Sequence, residues 1–197
     1  TDYQKVIGSL INDSKRNIES YHDWLILRET VDISTVAGTR NYNLASGQEI
    51  KILDVVNQTD GQRLTQVSRQ YMNSVMYPTT ANGYPLYYSF RGSDSSNNLK
   101  IDLEPIPSAV HTLSFDMVKY QAELKTASTS LKLPDKPVIL GAWARAIAER
   151  GEDGGTQTSV VAAEVAQSLS QAVMVDSGNT EYETDWYVSS NYQHNNR

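Results

Sequence analysis

The chain has 197 residues, with 17 basic and 23 acidic side chains, a formal net charge of −6 and no cysteine. This length suits one large domain or two small ones, and the lack of cysteine excludes disulfides and thiolate chemistry. The acidic balance argues against a protein that wraps nucleic acid tightly, because such proteins need a basic footprint. No stretch is apolar enough to predict a transmembrane helix, and residues 1–10 lack the pattern of a secretory signal.

The first segment has the periodicity of an amphipathic helix. Apolar and small side chains recur at steps of three and four residues from Tyr3 to Leu25. This spacing predicts a helix over 3–25 whose apolar stripe faces a core. Trp24 stands at the end of the stripe, and we expect it to be buried.

The following hundred residues, 31–124, have the pattern of short strands. Apolar residues alternate with polar ones in several segments of four to six residues, most clearly over 99–103. Turn signals separate the segments, and the Asp-Gly dipeptide at 60–61 is typical of a hairpin. A short helix is predicted within 64–76. The spacing favours a small antiparallel sandwich or barrel.

Helical patterns return after a polar linker at 125–133. The first predicted helix, 135–150, has Asp135 as a candidate cap and Gly151 as its stop. A second helix is predicted over 158–176, and the two form a helical hairpin. Trp143 begins an apolar stripe, so we expect it in the core.

The last segment, 181–197, is polar and has no helical stripe, so it cannot build a core of its own. Its aromatic side chains need something outside the segment to cover their apolar area. These are Tyr182, Trp186, Tyr187 and Tyr192.

Together these patterns predict an α+β protein. A helical bundle, formed by a long N-terminal helix and a C-terminal helical hairpin, carries an inserted antiparallel β sandwich or barrel and an extended C-terminal tail. The predicted domains are 1–30 with 125–180, 31–124, and 181–197.

The residue types of metal and cofactor sites are sparse. His22, His111 and His194 are far apart in sequence, and none has the spacing of a zinc motif. We expect them at the surface or at helix ends. No phosphate-binding glycine motif occurs, so the sequence predicts neither a metal site nor a cofactor.

Two groups of carboxylates leave an enzymatic alternative open. Glu149, Glu152 and Asp153 cluster near a helix end, and Asp102 and Glu104 share one face of a strand. Paired carboxylates could serve an envelope-glycan hydrolase, but we expect both groups to be solvated. A second alternative is a carbohydrate- or peptide-binding β module, because aromatic side chains are frequent in the strands.

The order of elements and several local strings resemble the head-to-tail connector adaptor proteins of tailed phages, especially short-tailed ones. The strings are YHDWLIL at 21–27, VAGTRNYNL at 36–44, GYPLYY at 83–88, LKIDLEPIP at 99–107 and LP at 133–134. The resemblance covers about 3–175. Ala45 stands where the family usually has proline.

The resemblance implies a structural virion protein at the head–tail junction, assembled in the host cytoplasm. It would form a ring, usually of twelve copies, beneath the portal protein, with double-stranded DNA passing through without specific binding. The helical domain would form the ring, and tail or nozzle proteins would dock below. The tail 181–197 would dock on the portal through Tyr182, Trp186, Tyr187 and Tyr192. The resemblance implies no enzymatic activity, cofactor or membrane.

Overall fold

A computed structural model describes residues 2–44, 50–77, 81–126, 128–151 and 156–179. These residues form two compact units: one contains the described residues of 1–25 and 124–197, and the other contains 26–123. The structure is mixed α+β, as the sequence predicts. The predicted tail lies outside the described residues, as do Glu152, Asp153 and His194.

The helical unit contains three long helices: α1 (Asp2–Glu19), α3 (Asp135–Arg150) and α4 (Thr156–Asn179). Helix α3 packs against both of the others. The predicted bounds of α3 are confirmed, and it ends at Gly151 in the left-handed conformation that glycine tolerates best. Asp135 is not its cap, because Pro134 holds the capping position and Asp135 is the first helical residue.

Helix α1 is shorter than predicted, because it ends at Glu19 rather than near Leu25. The chain turns back at this point, and the indole Nε1 of Trp24 donates a 2.8 Å hydrogen bond to the carbonyl of Ile18. Trp24 is buried, as predicted. The bond satisfies one of the carbonyls that the end of a helix leaves without an intrahelical partner.

A buried ion pair lies within α1. The ammonium Nζ of Lys15 is 3.0 Å from Oε1 of Glu19, one helical turn away, and both side chains are almost fully buried. Such residues are rarely buried unless they are paired.

The β unit begins with a 3-10 turn at Leu25–Leu27, of which the last two residues belong to the unit. The strands of its described residues are β1 (Arg28–Ser34), β2 (Asn41–Asn43), β3 (Ile50–Asn57), β4 (Gln62–Arg63), β5 (Thr65–Gln66), β6 (Asn82–Gly83), β7 (Tyr87–Ser93), β8 (Leu99–Glu104), β9 (Ile106–Pro107) and β10 (Thr112–Lys119).

The strands form two four-stranded sheets, in the orders β1-β10-β3-β4 and β2-β8-β7-β5, and a two-stranded sheet of β6 and β9. The main pairs are antiparallel, as predicted, and β3 and β4 flank the turn that contains Gly61. Two short pairs, β5 with β7 and β6 with β9, are parallel.

The core of the unit is one apolar cluster to which both four-stranded sheets contribute. The alternation over 99–103 buries Ile101 and Leu103 completely. The other buried members are Tyr42, Leu44, Val55, Leu64, Tyr88, Leu113, Phe115 and Met117.

The helix predicted within 64–76 begins only at Arg69, since β5 occupies 65–66. Helix α2 (Arg69–Tyr71) continues directly as a π-helical segment, Met72–Met76. The hydroxyl of Ser68 caps it by accepting a hydrogen bond from the backbone N–H of Tyr71. We refer to α2 and the π-helical segment together as the 69–76 helix.

Candidate functional site

A polar cleft of about 570 Å³ lies in the β unit. We call it the arginine cleft, because three of its lining side chains are guanidinium groups. Its described lining residues are Arg40, Asn41, Arg69, Asn73, Tyr77, Arg91, Asp102 and Ile106.

Separate elements bring these residues together. The second sheet supplies Asn41 from β2, Asp102 from β8 and Arg91 from β7. The 69–76 helix supplies Arg69 and Asn73, which are four residues apart and therefore share one helical face. The three arginines come from distant parts of the sequence, so no linear motif could have revealed the cleft.

Asp102 stands between two of the arginines. One carboxylate oxygen, Oδ2, lies 3.2 Å from Nη1 of Arg69, and the other, Oδ1, lies 3.7 Å from Nη1 of Arg91. The same Nη1 of Arg91 donates a 2.8 Å hydrogen bond to the side-chain carbonyl of Asn41. Asp102 is buried, whereas the two arginine side chains are 40% and 46% exposed, so their charges remain accessible from solvent.

Arg40 is the buried member of the set, with 8% of its surface exposed. Its guanidinium carbon lies 4.1 Å from the ring centre of Tyr77, a cation–π distance. Its Nη2 lies 3.3 Å from Oε2 of Glu104, which is also buried. Burial raises the pKa of the Glu104 carboxyl above its ordinary value, while the charge of Arg40 acts in the opposite direction.

Four buried polar atoms of this cluster make no hydrogen bond to any described residue. They are Nε and Nη2 of Arg40, Oδ1 of Asp102 and Oε2 of Glu104. Three of these atoms belong to ion pairs that do not have hydrogen-bond geometry: Nη2 of Arg40 with Oε2 of Glu104, and Oδ1 of Asp102, which lies 3.7 Å from Arg91. Buried polar groups are normally hydrogen-bonded, so four exceptions in one cluster require an explanation.

The prediction that Asp102 and Glu104 are solvated is wrong. Both lie on the face of β8 opposite the apolar core, but the 69–76 helix and Arg40 contribute side chains to that face and bury them. Both carboxylates are paired with guanidinium groups, an arrangement that favours binding over general acid–base catalysis by an unpaired carboxyl. Glu149, from the other acidic group, is exposed at the end of α3.

The described histidines correct a second prediction. His111 is buried rather than at the surface, and its Nδ1 lies 2.9 Å from Oδ2 of Asp60. His22 follows the end of α1, half-buried, with Nε2 3.0 Å from Oδ2 of Asp176. Among the residues that the structure describes, no group of three or more side chains has the arrangement of a metal site.

Helix α3 presents a second candidate surface. Ile139 and Trp143, four residues apart and hence on one face, are 60% and 50% exposed. The prediction that Trp143 is a core residue is therefore wrong, because α3 directs its small side chains inward. Gly141 and Ala142 are buried instead. An exposed tryptophan beside an exposed isoleucine is typical of a contact surface.

The strand aromatics divide between core and surface. Tyr42 and Tyr88 are buried in the core, whereas Tyr84 is 60% exposed. Tyr42 and Tyr88 are therefore core residues and do not form an exposed aromatic binding surface.

Carboxylates paired with guanidinium groups, together with exposed apolar side chains on α3, are typical of proteins that bind other proteins. A family model described as SU10 adaptor protein matches residues 1–189. The chain therefore belongs to the SU10 adaptor protein family, and it is a structural adaptor of a phage and a component of the virion. The family is not a known family of enzymes, and membership implies interaction with portal and tail proteins in general.

No curated protein matches the chain. Of the helices in the described ranges, none has the length and apolar character needed to span a membrane.

Proposed function

We propose that the protein forms a twelve-membered ring that joins the portal to the tail and lengthens the channel through which DNA leaves the head. Membership of the adaptor family over residues 1–189 carries this proposal. The net charge of −6 supports it, since a channel wall must let DNA pass without gripping it.

The helical unit would form the ring wall. The exposed face of α3 supports this role, because Ile139 and Trp143 are apolar side chains that a neighbouring copy could cover. The apolar fraction of 39% is lean for a large obligate interface. We therefore expect the isolated chain to be a monomer or weak oligomer that becomes a ring on a portal template. A stable ring seen by light scattering of the purified chain, independent of concentration, would contradict the template requirement.

The segment 181–197 would dock on the portal. In an extended chain successive side chains point to opposite sides, so Tyr182 and Trp186 share one face and Tyr187 lies on the other. A buried Trp or Tyr can contribute about 2 kcal/mol or more as an interface anchor. Tyr192 would extend the contact toward the end of the chain.

A pull-down on purified portal rings tests the docking. We expect a chain truncated after Asn179 to fold but to lose binding. We expect Asp185 at the rim of the contact, where charges affect association rate and salt dependence more than affinity. Trp186→Ala should therefore weaken binding more than the matched change Asp185→Ala. Equal capture of the full-length and truncated chains would refute the proposal.

The β unit would form the docking platform for tail or nozzle proteins. Heads assembled with a chain in which residues 28–119 are replaced by a short linker should contain the adaptor but carry no tail. Circular dichroism of the purified variant should retain its helical signal. If such heads still acquire tails, the docking role belongs elsewhere.

A further inference from the structure

The arginine cleft has one more positive charge than its own carboxylates balance. Arg40, Arg69 and Arg91 bring three positive charges, and Asp102 and Glu104 bring two negative ones. Glu104 is not itself a lining residue but pairs with Arg40, and the other described lining residues are uncharged. A single additional carboxylate would make the cleft neutral.

The guanidinium groups present donors for such a group. Nε and Nη2 of Arg40 make no hydrogen bond to any described residue although the side chain is more than nine-tenths buried. Arg69 and Arg91 flank Asp102 and remain partly exposed. Arginine binds carboxylates with two parallel N–H···O bonds, which gives both affinity and orientation.

We infer that the arginine cleft binds one glutamate or aspartate side chain from an extended segment of a tail protein. The assignment of the partner to the tail rests on the proposed function, whereas the carboxylate chemistry rests on the cleft alone. Asp102 is the positioning residue, because it holds Arg69 and Arg91 on either side of itself.

A peptide fits the surroundings of the cleft better than a small anion. Tyr77 and Ile106 line the cleft beside the arginines, and Tyr77 is 58% exposed. Residues that flank the bound carboxylate in a partner chain could pack against these side chains. An extended segment with one anchoring acid and apolar neighbours would use both features.

The backbone of DNA fits the cleft less well. Two of the five charged groups are carboxylates, and Asp102 lies between the two accessible arginines. A line of phosphates would be repelled there, and the chain as a whole is acidic. The charge pattern thus selects a single carboxylate.

The first test uses the full-length protein and the side-chain Nε–H signals of its arginines in NMR. The probe is a glycine–serine peptide with one central glutamate, and its control has glutamine at that position. We expect the glutamate peptide to shift the cleft arginines and the glutamine peptide to bind at least about tenfold more weakly, the equivalent of one charged hydrogen bond.

The double variant Arg69→Gln/Arg91→Gln should lose the glutamate peptide. Its matched control is Arg28→Gln/Arg63→Gln, which removes the same charge at exposed positions outside the lining set. Equal binding by the two double variants would overturn the inference. Binding of a short DNA duplex through Arg69 and Arg91, with no binding of the peptide, would overturn it as well.

The second test uses assembled heads. Heads with Arg69→Gln/Arg91→Gln should contain the adaptor in normal amount and acquire tails poorly, whereas heads with the control variant should acquire them normally. Normal tails on the cleft variant would overturn the tail assignment. A failure of the portal pull-down would refute portal docking but would leave the peptide result unchanged. The proposed function and the carboxylate site are therefore tested separately.

Discussion

The hydroxyl of Ser14 donates a 2.9 Å hydrogen bond to the backbone carbonyl of Val138, and this bond joins α1 to α3 in the buried interior of the helical unit. The two helices approach closely here because Gly141 has no side chain. A Cβ atom on Gly141 would overlap the Oγ of Ser14. The contact therefore depends on a small residue in each helix.

The variant Gly141→Ala tests this contact. The side chain of Ser14 would have to rotate away and lose its hydrogen bond to Val138. The stability that alanine normally adds when it replaces a glycine inside a helix should therefore be lost. We expect Gly141→Ala to be about 1–3 kcal/mol less stable than Gly8→Ala in urea unfolding. Gly8 is the matched control, because it lies inside α1 with open space around its Cα, and its replacement should stabilise by roughly 1 kcal/mol. Equal effects at the two sites would show that the helices can separate without cost.

The ion pair of Lys15 and Glu19 should make α1 sensitive to the loss of either charge. Lys15→Met should destabilise by about 3–5 kcal/mol, because it leaves the carboxylate of Glu19 buried without this cation. The double variant Lys15→Met/Glu19→Leu should recover most of that loss. Lys5→Met, at an exposed position of the same helix, should change stability by no more than about 0.5 kcal/mol. Thermal and urea unfolding measure the stability of all three variants. If Lys15→Met were as stable as the double variant, the expected cost of burying Glu19 without Lys15 would be contradicted.

Asp94 organises the loop between β7 and β8, and its effect should depend on pH. Its carboxylate accepts hydrogen bonds from the backbone N–H groups of Asn98 and Ser96, both at 2.8 Å, and from the side-chain amide of Asn98. The pKa of Asp94 is lowered below its usual 3.8, mainly by the backbone N–H of Asn98. A depressed pKa means that the contribution is present above pH 3.8 and is lost as the pH falls through the lower folded value.

Amide hydrogen exchange checks this expectation. At neutral pH, Asp94→Ala should speed exchange at Ser96 and Asn98 relative to the wild-type chain. The difference should disappear in strongly acidic solution, where the wild-type carboxyl is itself protonated. Asp23→Ala, in the other unit, is the control and should leave the loop unchanged. A difference that persists unchanged at acidic pH would assign the loop's order to something other than the carboxylate.

The exposed face of α3 should matter for assembly more than for folding. Trp143→Ala should leave the unfolding midpoint nearly unchanged, since half of the side chain is in solvent. If Trp143 anchors the contact between copies, its loss should weaken assembly on portal rings by about 2 kcal/mol, or roughly thirtyfold. Glu149→Ala, exposed on the same helix, should assemble normally. Electron microscopy and sedimentation of the complexes give the readout, and normal assembly by Trp143→Ala would remove α3 from the interface.

Much of the fold could be predicted where local signals agree with packing. Helix α3 is bounded by Pro134 and Gly151, two residues whose backbone preferences act at short range. The alternation over 99–103 likewise identified the inner face of β8. The end of α1 was missed, because the turn that buries Trp24 depends on a contact between its indole and the carbonyl of Ile18.

The arginine cleft could not be predicted for a similar reason. The sequence showed that Asp102 and Glu104 share the outer face of β8 but not that Arg40 and the 69–76 helix contribute to it. Charged residues on a strand usually mean a solvated face, and only tertiary structure shows that this face is covered. The exposure of Trp143 was missed because the faces of an alanine-rich helix differ little in hydrophobicity.

The strand pairing of the β unit has one more consequence. The chain enters the unit through β1 and leaves it through β10, and these strands are antiparallel neighbours in which Arg28 pairs with Val118. Paired residues in such a ladder have Cα atoms only about 5 Å apart. The chain therefore enters and leaves the β unit at two neighbouring positions. An unrelated domain whose ends lie equally close together could therefore replace residues 28–119. If the β unit is the docking platform for the tail, as we propose, such a graft should let the adaptor accept the tail of a different phage.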